Sequence, residues 1–193
     1  HFVWEGKYNG AKIIVITPEF NGTAKSADVW IPIKAGSDNA LASSVIYEII
    51  QEKLYKPEFI KIYTDLPFLV DVETKKLIRR SDIEGHGNHK WEEEFYCWNE
   101  ATNSPALMPG TEGSENKTIR LTDFNIKPAL EGEWEIHLHS GKTVKVTTAF
   151  EMLKENITRF SPEATQEETG VHPSVVKQLA IDIAKPKVVE ITT

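Results

Sequence analysis

The pattern of apolar and polar positions between residues 12 and 54 predicts two strands followed by a helix. Residues 13–16 (IIVI) are a solid block of β-branched side chains, typical of a parallel strand that is covered on both faces. Residues 28–33 (DVWIPI) predict a second strand. Apolar residues then recur at the three- and four-residue spacing of one buried helical face. That face comprises Leu41, Val45, Ile46, Ile49, Ile50 and Leu54.

Each predicted strand ends in a short polar loop, and the second loop leads directly into the helix. The first loop consists of Thr17, Pro18, Glu19, Phe20 and Asn21, and the second loop consists of Gly36, Ser37 and Asp38. Parallel strands end at the same edge of a sheet, where α/β proteins bind their ligands. The pattern is therefore typical of one wall of a nucleotide-binding pocket.

The residue types of the two loops suit a guanine nucleotide. Gly36 has no Cβ and allows the backbone to approach a phosphate, while the following helix start offers N–H donors. Asp38 could accept hydrogen bonds from N1–H and the amino group of guanine, and Thr17 or Glu19 could meet ribose hydroxyls. The same pattern also fits an ordinary strand–helix connection in which Ser37 or Asp38 caps the helix. The chain has no G-x-G-x-x-G motif that would exclude this alternative.

The pattern changes after residue 64. Residues 66–80 predict an extended segment and a hairpin, and short strands follow at 95–98, 106–108 and 119–122, with a mobile loop at 109–118. Residues 133–139 and 143–147 alternate around Ser140-Gly141-Lys142, which indicates a hairpin. Residues 65–148 therefore read as a β-rich insertion.

Helical patterns bracket this insertion. A short helix should begin at Pro57, and others should cover 150–157, the segment from Ser161 to a stop at Gly170, and the segment after Pro173 with Val176, Leu179, Ala180 and Ile183 on its apolar face. Residues 188–192 predict a last strand. We expect an α/β protein with a partial, Rossmann-like parallel-sheet layer in three parts: a nucleotide-binding half over 1–64, the insertion over 65–148, and a return to the layer over 149–193.

Composition narrows the function classes. The formal net charge of −7 argues against a nucleic-acid partner, which would require a basic face. The single cysteine, Cys97, excludes an internal disulfide and a cysteine-rich metal cluster. No apolar run reaches the roughly 18 residues of a membrane-spanning helix. Because the chain starts without methionine and ends on a predicted strand, we expect a fragment of a longer polypeptide.

Other candidate groups carry weaker signals. His86 with His89, and His137 with His139, could ligate a metal, although a polar loop and a strand are the simpler interpretations. The acidic run at 92–94 predicts a solvated face or the rim of the insertion. Trp91, Phe95, Tyr96 and Trp98 favour core packing or a subunit contact over base stacking, since no basic residues alternate with them. We expect Cys97, within this cluster, to be an inert buried thiol.

Three stretches resemble the molybdopterin oxidoreductases of the dimethyl sulfoxide reductase family. Residues 16–41 (ITPEFNGTAKSADVWIPIKAGSDNAL) are similar to the family pattern D-P-x … A-D-x-x-x-P-x-x-P-G-T-D-x-A-L. Thr17, Ala35 and Ser37 depart from that pattern, where Asp, Pro and Thr are usual. Residues 63–70 (YTDLPFLV) with 77–82 (LIRRSD) resemble the branch that holds nitrate, selenate and perchlorate reductases and nitrite oxidoreductases. Residues 147–184 resemble the region of the same family that precedes its next cofactor-binding strand.

The resemblance implies a function for the whole polypeptide. It implies a catalytic alpha subunit that interconverts nitrite and nitrate at molybdenum held by two molybdopterin guanine dinucleotides, and it is closest to the nitrite oxidoreductases. The eight residues of the two loops would bind one guanosine end. The molybdenum ligand and an iron–sulfur cluster would lie upstream, so no catalytic or metal-binding residue is expected here and the isolated fragment should be inactive.

The resemblance further implies an iron–sulfur beta subunit and a haem-binding gamma subunit as partners. The complex would be membrane-associated on the periplasmic side, with the cytoplasmic side as the alternative, and without membrane insertion by this chain. A respiratory nitrate, selenate or perchlorate reductase is the alternative within the family. A non-enzymatic α/β binding or scaffold module is the alternative from another class.

Overall fold

The computed structural model describes residues 2–85, 94–109 and 125–185, which form two compact units. The first unit is His1–Tyr55 with Ile157–Thr193, and the second is Lys56–Asn156. The elements in chain order are α1 (Phe2–Tyr8), β1 (Ile14–Ile16), α2 (Gly22–Lys25), β2 (Val29–Ile31), α3 (Asp38–Gln51), α4 (Pro57–Tyr63), β3 (Leu69–Asp71), α5 (Arg80–Glu84), β4 (Tyr96–Asn99), β5 (Ser104–Leu107), β6 (Glu133–His137), β7 (Thr143–Thr148), α6 (Ala149–Ile157), a 3-10 turn (Thr158–Phe160), α7 (Pro162–Thr169) and α8 (Pro173–Ala184).

A parallel pair of strands carries the two loops of the first unit. β1 pairs with β2 in the register Ile14↔Val29 to Ile16↔Ile31, so both predicted strands form, each shorter than the sequence indicates. The core of the unit packs the β2 segment against α3 and α8. Its buried members are Ile31, Ile33, Leu41, Val45, Val171, Val176, Leu179 and Ala180.

Helix α3 follows the predicted apolar face with one error. Leu41, Val45 and Ile50 are buried, but Ile46 is 39% exposed and lies outside that face. The buried positions that complete the face are polar: Ser44 is 0% and Glu48 is 4% exposed. The periodicity therefore located the helix correctly, while the burial of two polar residues departs from its apolar rule.

Local signals set both ends of α7. Ser161 Oγ accepts a hydrogen bond of 3.2 Å from the Ala164 N–H, and Pro162 occupies the first turn. Gly170 ends the helix in the left-handed region at φ 75°, as predicted. In the next helix, α8, the expected apolar residues Val176, Leu179 and Ala180 are buried, whereas Ile183 is 56% exposed.

The second unit is built on antiparallel sheets. One sheet has the strand order β3-β7-β6, and β4 pairs with β5 in a separate two-stranded sheet. The predicted hairpin is confirmed, since β6 and β7 pair antiparallel from Glu133↔Thr147 to His137↔Thr143. A buried cluster fills the space between the elements, comprising Leu69, Ile78, Tyr96, Trp98, Ala129, Ile136, Val144 and Val146.

Several predicted features fall outside the described residues. These are His86, His89, Trp91, the acidic residues 92 and 93, the loop at 109–118 beyond its first residue, the strand at 119–122 and the last strand at 188–192.

Candidate functional site

The first loop leaves β1 and is tied back to β2 by its first residue. The Thr17 N–H donates to the carbonyl of Ile31 at 3.2 Å, and the Thr17 carbonyl accepts from Trp30 Nε1 at 3.1 Å. The next residues, Pro18 and Glu19, are exposed. The loop is thus fixed at its root by the neighbouring strand, while its middle faces solvent.

Phe20 and Asn21 complete the first loop. The Phe20 ring is 60% exposed and meets the Trp30 ring edge to face, with centroids 5.0 Å apart and planes at 68°. Asn21 Oδ1 accepts hydrogen bonds of 3.0 Å from the N–H groups of Thr23 and Ala24, so it caps α2. The exposed ring of Phe20 therefore lies between Thr17 and Asn21, whose hydrogen bonds fix both ends of the first loop.

The second loop leaves the start of α3 open. Gly36 has φ +85°, and a Cβ built on it would have no heavy atom within 4 Å, so both its conformation and the space above it suit glycine. Ser37 is 3% exposed and its Oγ donates 2.7 Å to the Lys34 carbonyl. Ser37 is the N-cap residue of α3, one of the two positions predicted for the cap, and its side chain accepts no hydrogen bond from the first turn of the helix.

Asp38 is the first residue of α3 and is exposed. A carboxylate in the first helical turn lies at the positive end of the helix dipole. Because β1 and β2 run parallel and in register, the chain leaves both strands at the same edge of the pair. The first loop follows β1 directly, and the second loop begins five residues after Ile31, the last residue of β2. Phe20 and Asp38 are both exposed.

Two residues that sequence reasoning did not select also shape this edge. Trp30 donates a hydrogen bond to the Thr17 carbonyl and its ring contacts Phe20. The Lys34 carbonyl accepts a hydrogen bond from the Ser37 hydroxyl. The sequence could have indicated Trp30, because an aromatic side chain in a short strand can support an aromatic ring in the loop beside it. The role of Lys34 depends on contacts that are distant in sequence.

The histidine candidates of the described region are engaged locally. His137 Nδ1 lies 2.8 Å from Thr143 Oγ1 across the hairpin, and the His139 ring packs against Gly85. Within residues 2–85, 94–109 and 125–185, no group of three or more His, Cys, Asp or Glu side chains could hold a metal ion.

Tyr96 and Trp98, two described members of the predicted aromatic cluster, belong to the buried core of the second unit. Trp98 is 8% exposed and stacks on Trp134 at a centroid distance of 4.8 Å, and Phe95 stacks on Phe68 at 5.2 Å. Cys97 is fully buried, as predicted, and burial raises the pKa of its thiol to about 12, which disfavours the reactive thiolate.

Glu94, the described residue of the acidic run, is not solvated as one of the two interpretations of that run expected. Its side chain is 14% exposed, and its Oε2 accepts a hydrogen bond of 2.9 Å from Arg80 Nη1. The same guanidinium binds Glu84 Oε2 through Nε at 2.9 Å. Glu94 is therefore a half-buried partner in an ion-pair network.

Within the described part of the chain, no helix combines the length and the apolar character needed to cross a bilayer.

Comparison with known proteins assigns the chain to a family. No family model matches it. Chlorate reductase subunit alpha of Ideonella dechloratans is 41% identical over 191 residues, which is 99% of this chain and 20% of that protein. Dimethylsulfide dehydrogenase subunit alpha of Rhodovulum sulfidophilum is 38% identical over 187 residues, which is 97% of this chain and 20% of that protein. Respiratory nitrate reductase subunit alpha of Haloferax mediterranei is 30% identical over 188 residues, covering 94% and 19%.

The chain thus spans about a fifth of the length of these relatives (20%, 20% and 19%), and it matches them over nearly all of its own length. All three are alpha subunits, as the sequence resemblance implied. The chain belongs to the dimethyl sulfoxide reductase family of molybdopterin oxidoreductases, as a segment of a catalytic alpha subunit.

Proposed function

We propose that this segment binds the guanosine end of a molybdopterin guanine dinucleotide through the first loop and the second loop. The observation that carries the proposal is the open start of α3, where Ser37 turns its hydroxyl away and leaves the first turn without a side-chain cap. Backbone N–H groups in this position bind anions and polar edges. The exposed carboxylate of Asp38 adds an acceptor pair for N1–H and the amino group of guanine.

The described residues fit such a group. A Cβ built on Gly36 would meet no heavy atom of the described residues within 4 Å, its chain neighbours aside, so this side of Gly36 leaves room for a ligand. The Phe20 ring, 60% exposed and supported by Trp30, offers an apolar surface beside the polar loop. Thr17 and Glu19 lie in the same loop, where they would meet ribose hydroxyls. We interpret the parallel β1–β2 pair as part of a Rossmann-like layer, and we retain the division at 1–64, 65–148 and 149–193.

The proposed activity of the whole subunit is a molybdenum-dependent interconversion of nitrite and nitrate. Once bound, the cofactor would supply the redox chemistry, and this segment would bind and orient its nucleotide end. Two of the relatives are named as a chlorate reductase and a respiratory nitrate reductase. Reduction of nitrate or of a chlorine oxyanion is therefore the alternative activity. We further propose an iron–sulfur cluster in the upstream part of the subunit and an inactive isolated fragment.

The proposed setting is a membrane-associated respiratory complex. An iron–sulfur beta subunit would take or deliver electrons, and a haem-binding gamma subunit would connect the complex to the membrane. We place the complex on the periplasmic side, with the cytoplasmic side as the alternative.

Asp38→Asn in the full-length subunit tests the binding role. It keeps the size of the side chain but replaces one acceptor oxygen with a donor, which opposes the N1–H and amino donors of guanine. The quantity measured is the guanosine monophosphate released by acid hydrolysis per mole of purified subunit, together with molybdenum content. We expect both to fall at least tenfold, while the control Glu168→Gln, an exposed carboxylate on α7, retains both. Unchanged loading would favour the scaffold alternative.

Substrate specificity needs a separate assay. The loaded full-length complex is offered nitrite with an electron acceptor, and nitrate or chlorate with a reduced dye. Nitrite oxidation as the fastest of these reactions supports the proposed activity, and faster chlorate or nitrate reduction replaces it with the alternative.

A further inference from the structure

Lys34 joins the second loop to the end of a distant helix through four hydrogen bonds, two to α7 and two to Ser37. Its ammonium donates a hydrogen bond of 2.6 Å to the Glu167 carbonyl, and its backbone N–H donates one of 2.9 Å to the Thr169 carbonyl. Its own carbonyl accepts from Ser37 Oγ at 2.7 Å and from the Ser37 N–H at 3.2 Å. A residue two positions before Gly36 thus connects α7 on one side with Ser37 on the other.

The end of α7 is a fixed support for these contacts. Thr169 is 0% exposed, its Oγ1 donates 2.9 Å to the Thr165 carbonyl, and it accepts 3.1 Å from the Val171 N–H. The Gly170 N–H closes the helix on the Gln166 carbonyl at 2.8 Å. The last carbonyls of a helix lack partners within it, and a lysine there also suits the negative end of the dipole. The contact with Lys34 therefore satisfies α7 while it fixes the loop.

The same contacts explain why Ser37 does not cap α3. With the Lys34 carbonyl held in place by the Lys34 bonds to α7, the Ser37 hydroxyl donates to that carbonyl. As at any helix N-cap, the Ser37 carbonyl accepts the first intrahelical bond of α3, from the Leu41 N–H at 3.0 Å. The orientation of the Ser37 hydroxyl, and with it the lack of a side-chain cap on α3, is thus coupled to the position of the Lys34 carbonyl.

We propose that Lys34 is a positioning residue, which holds the second loop in its ligand-ready conformation by bonding to the end of α7. This inference rests on the proposed function, because it assigns the loop a ligand. Lys34 itself touches α7 and Ser37, and its role is to order the loop before the nucleotide arrives. Pre-ordering of a binding loop raises affinity by removing the entropy loss on binding.

Lys34→Met in the full-length subunit is the main test. Methionine keeps an unbranched stem for the contact with Gly170, which an added Cβ there would meet at 3.4 Å, but it removes the ammonium donor. We expect the bound guanine dinucleotide to dissociate about tenfold faster, equivalent to 1.4 kcal/mol. Lys34→Arg, which keeps a charged donor, should restore at least half of the retention. The control Lys53→Met removes an exposed lysine just beyond α3 and should leave retention unchanged.

Hydrogen exchange separates positioning from a general loss of structure. In Lys34→Met, the amides of Ser37 and Leu41 should exchange about tenfold faster, because their bonds depend on the Lys34 carbonyl and on Ser37. The amide of Gly170 bonds within α7 and should change less than twofold. Equal loss of protection at all three amides would overturn the proposal, as would cofactor retention equal to that of Lys53→Met. If Lys34→Met does not fold, Lys34→Gln is measured by the same criteria.

The two proposals fail in different ways. If Asp38→Asn retains its cofactor, the loops do not bind the nucleotide and both proposals are overturned. If Asp38→Asn loses the cofactor but Lys34→Met does not, only the positioning role of Lys34 is overturned.

Discussion

Tyr96 Oη donates a hydrogen bond of 2.7 Å to Glu84 Oε1, joining strand β4 to helix α5. Arg80 bonds the second oxygen of Glu84 at 2.9 Å and also holds Glu94. Burial together with the neighbouring carboxylate raises the pKa of Tyr96, and the hydrogen bond from Tyr96 lowers the pKa of Glu84. The Tyr96 side chain is 7% exposed, so its hydroxyl depends on this acceptor.

Tyr96→Phe should reduce the free energy of unfolding of the chain by about 1–2 kcal/mol, because it removes this bond and leaves Glu84 with one donor fewer. Urea denaturation at pH 7 measures the change. The folded-state pKa of Glu84 is lowered, so its contribution is present above its unfolded pKa and is lost as pH falls through the folded value. The difference between the two proteins should therefore shrink below about pH 4.

Tyr63→Phe is the matched control for this loss of a hydroxyl. Tyr63 is 70% exposed and keeps its ring contact with Phe59 as a phenylalanine, so its stability should change by less than about 0.5 kcal/mol. Equal effects of the two substitutions would contradict the network described here.

Elements with local signals could be predicted from the sequence, and those that depend on distant contacts could not. The ends of α7 follow from Ser161, Pro162 and Gly170, which act within one helical turn. Burial of Ser44 and Glu48 was missed because the apolar periodicity carries no information about which neighbouring helix covers a polar residue. Glu94 was missed because its partner, Arg80, lies 14 residues earlier on another element.

The candidate site divides in the same way. The edge that carries both loops follows from strand order, since β1 and β2 are consecutive and parallel. The contact between Lys34 and Glu167 joins residues 133 positions apart, so no local pattern indicates it. The contacts that join Lys34 to α7 are therefore visible only in the structure.

Gly132→Ala should destabilise the chain more than a conformational penalty alone explains. Gly132 has φ +134°, and an added Cβ would lie 2.6 Å from Trp134 Cζ2, while the Trp134 ring is stacked on Trp98. The ring cannot move without disturbing that stack. We expect a loss of about 2–4 kcal/mol in urea unfolding.

Gly141→Ala controls for backbone strain. Gly141 also has a positive φ, +82°, but an added Cβ there would have no heavy atom within 4 Å. Its substitution should cost about 1 kcal/mol, the strain of a left-handed alanine. A loss at Gly132 no larger than at Gly141 would show that the Trp134 ring yields.

Ser44→Ala should stabilise the chain. Ser44 Oγ is the one buried side-chain polar atom of the described residues without a hydrogen-bond partner, and its residue is 0% exposed on α3. Removing an unsatisfied hydroxyl recovers part of its desolvation penalty, and alanine favours the helix. We expect a gain of about 1–2 kcal/mol in urea unfolding. Ser43→Ala, at a half-buried position of the same helix, should gain only about 0.5 kcal/mol. A loss on Ser44→Ala would indicate that a partner satisfies the hydroxyl.

Glu48 gives α3 a dependence on pH. Its side chain is 4% exposed, and burial raises its pKa. Lys177 on α8 lowers the pKa, whereas Glu163 on α7 and Glu52 raise it further. Because the folded-state pKa lies above the unfolded value, the contribution of Glu48 is fully present below the unfolded pKa and is lost as pH rises through the folded value.

Glu48→Gln should therefore raise the thermal midpoint of unfolding at pH 7, because it removes a buried charge. Near pH 4 the substitution should have little effect, because the raised pKa keeps Glu48 protonated in the folded state. Calorimetry at both values measures the difference. Glu168→Gln on α7 is the matched control, because it removes an exposed negative charge from a chain of net charge −7. A gain at pH 7 no larger than that of Glu168→Gln would assign the effect to net charge. A gain that persists at pH 4 would show that the Glu48 carboxylate does not titrate as its burial requires.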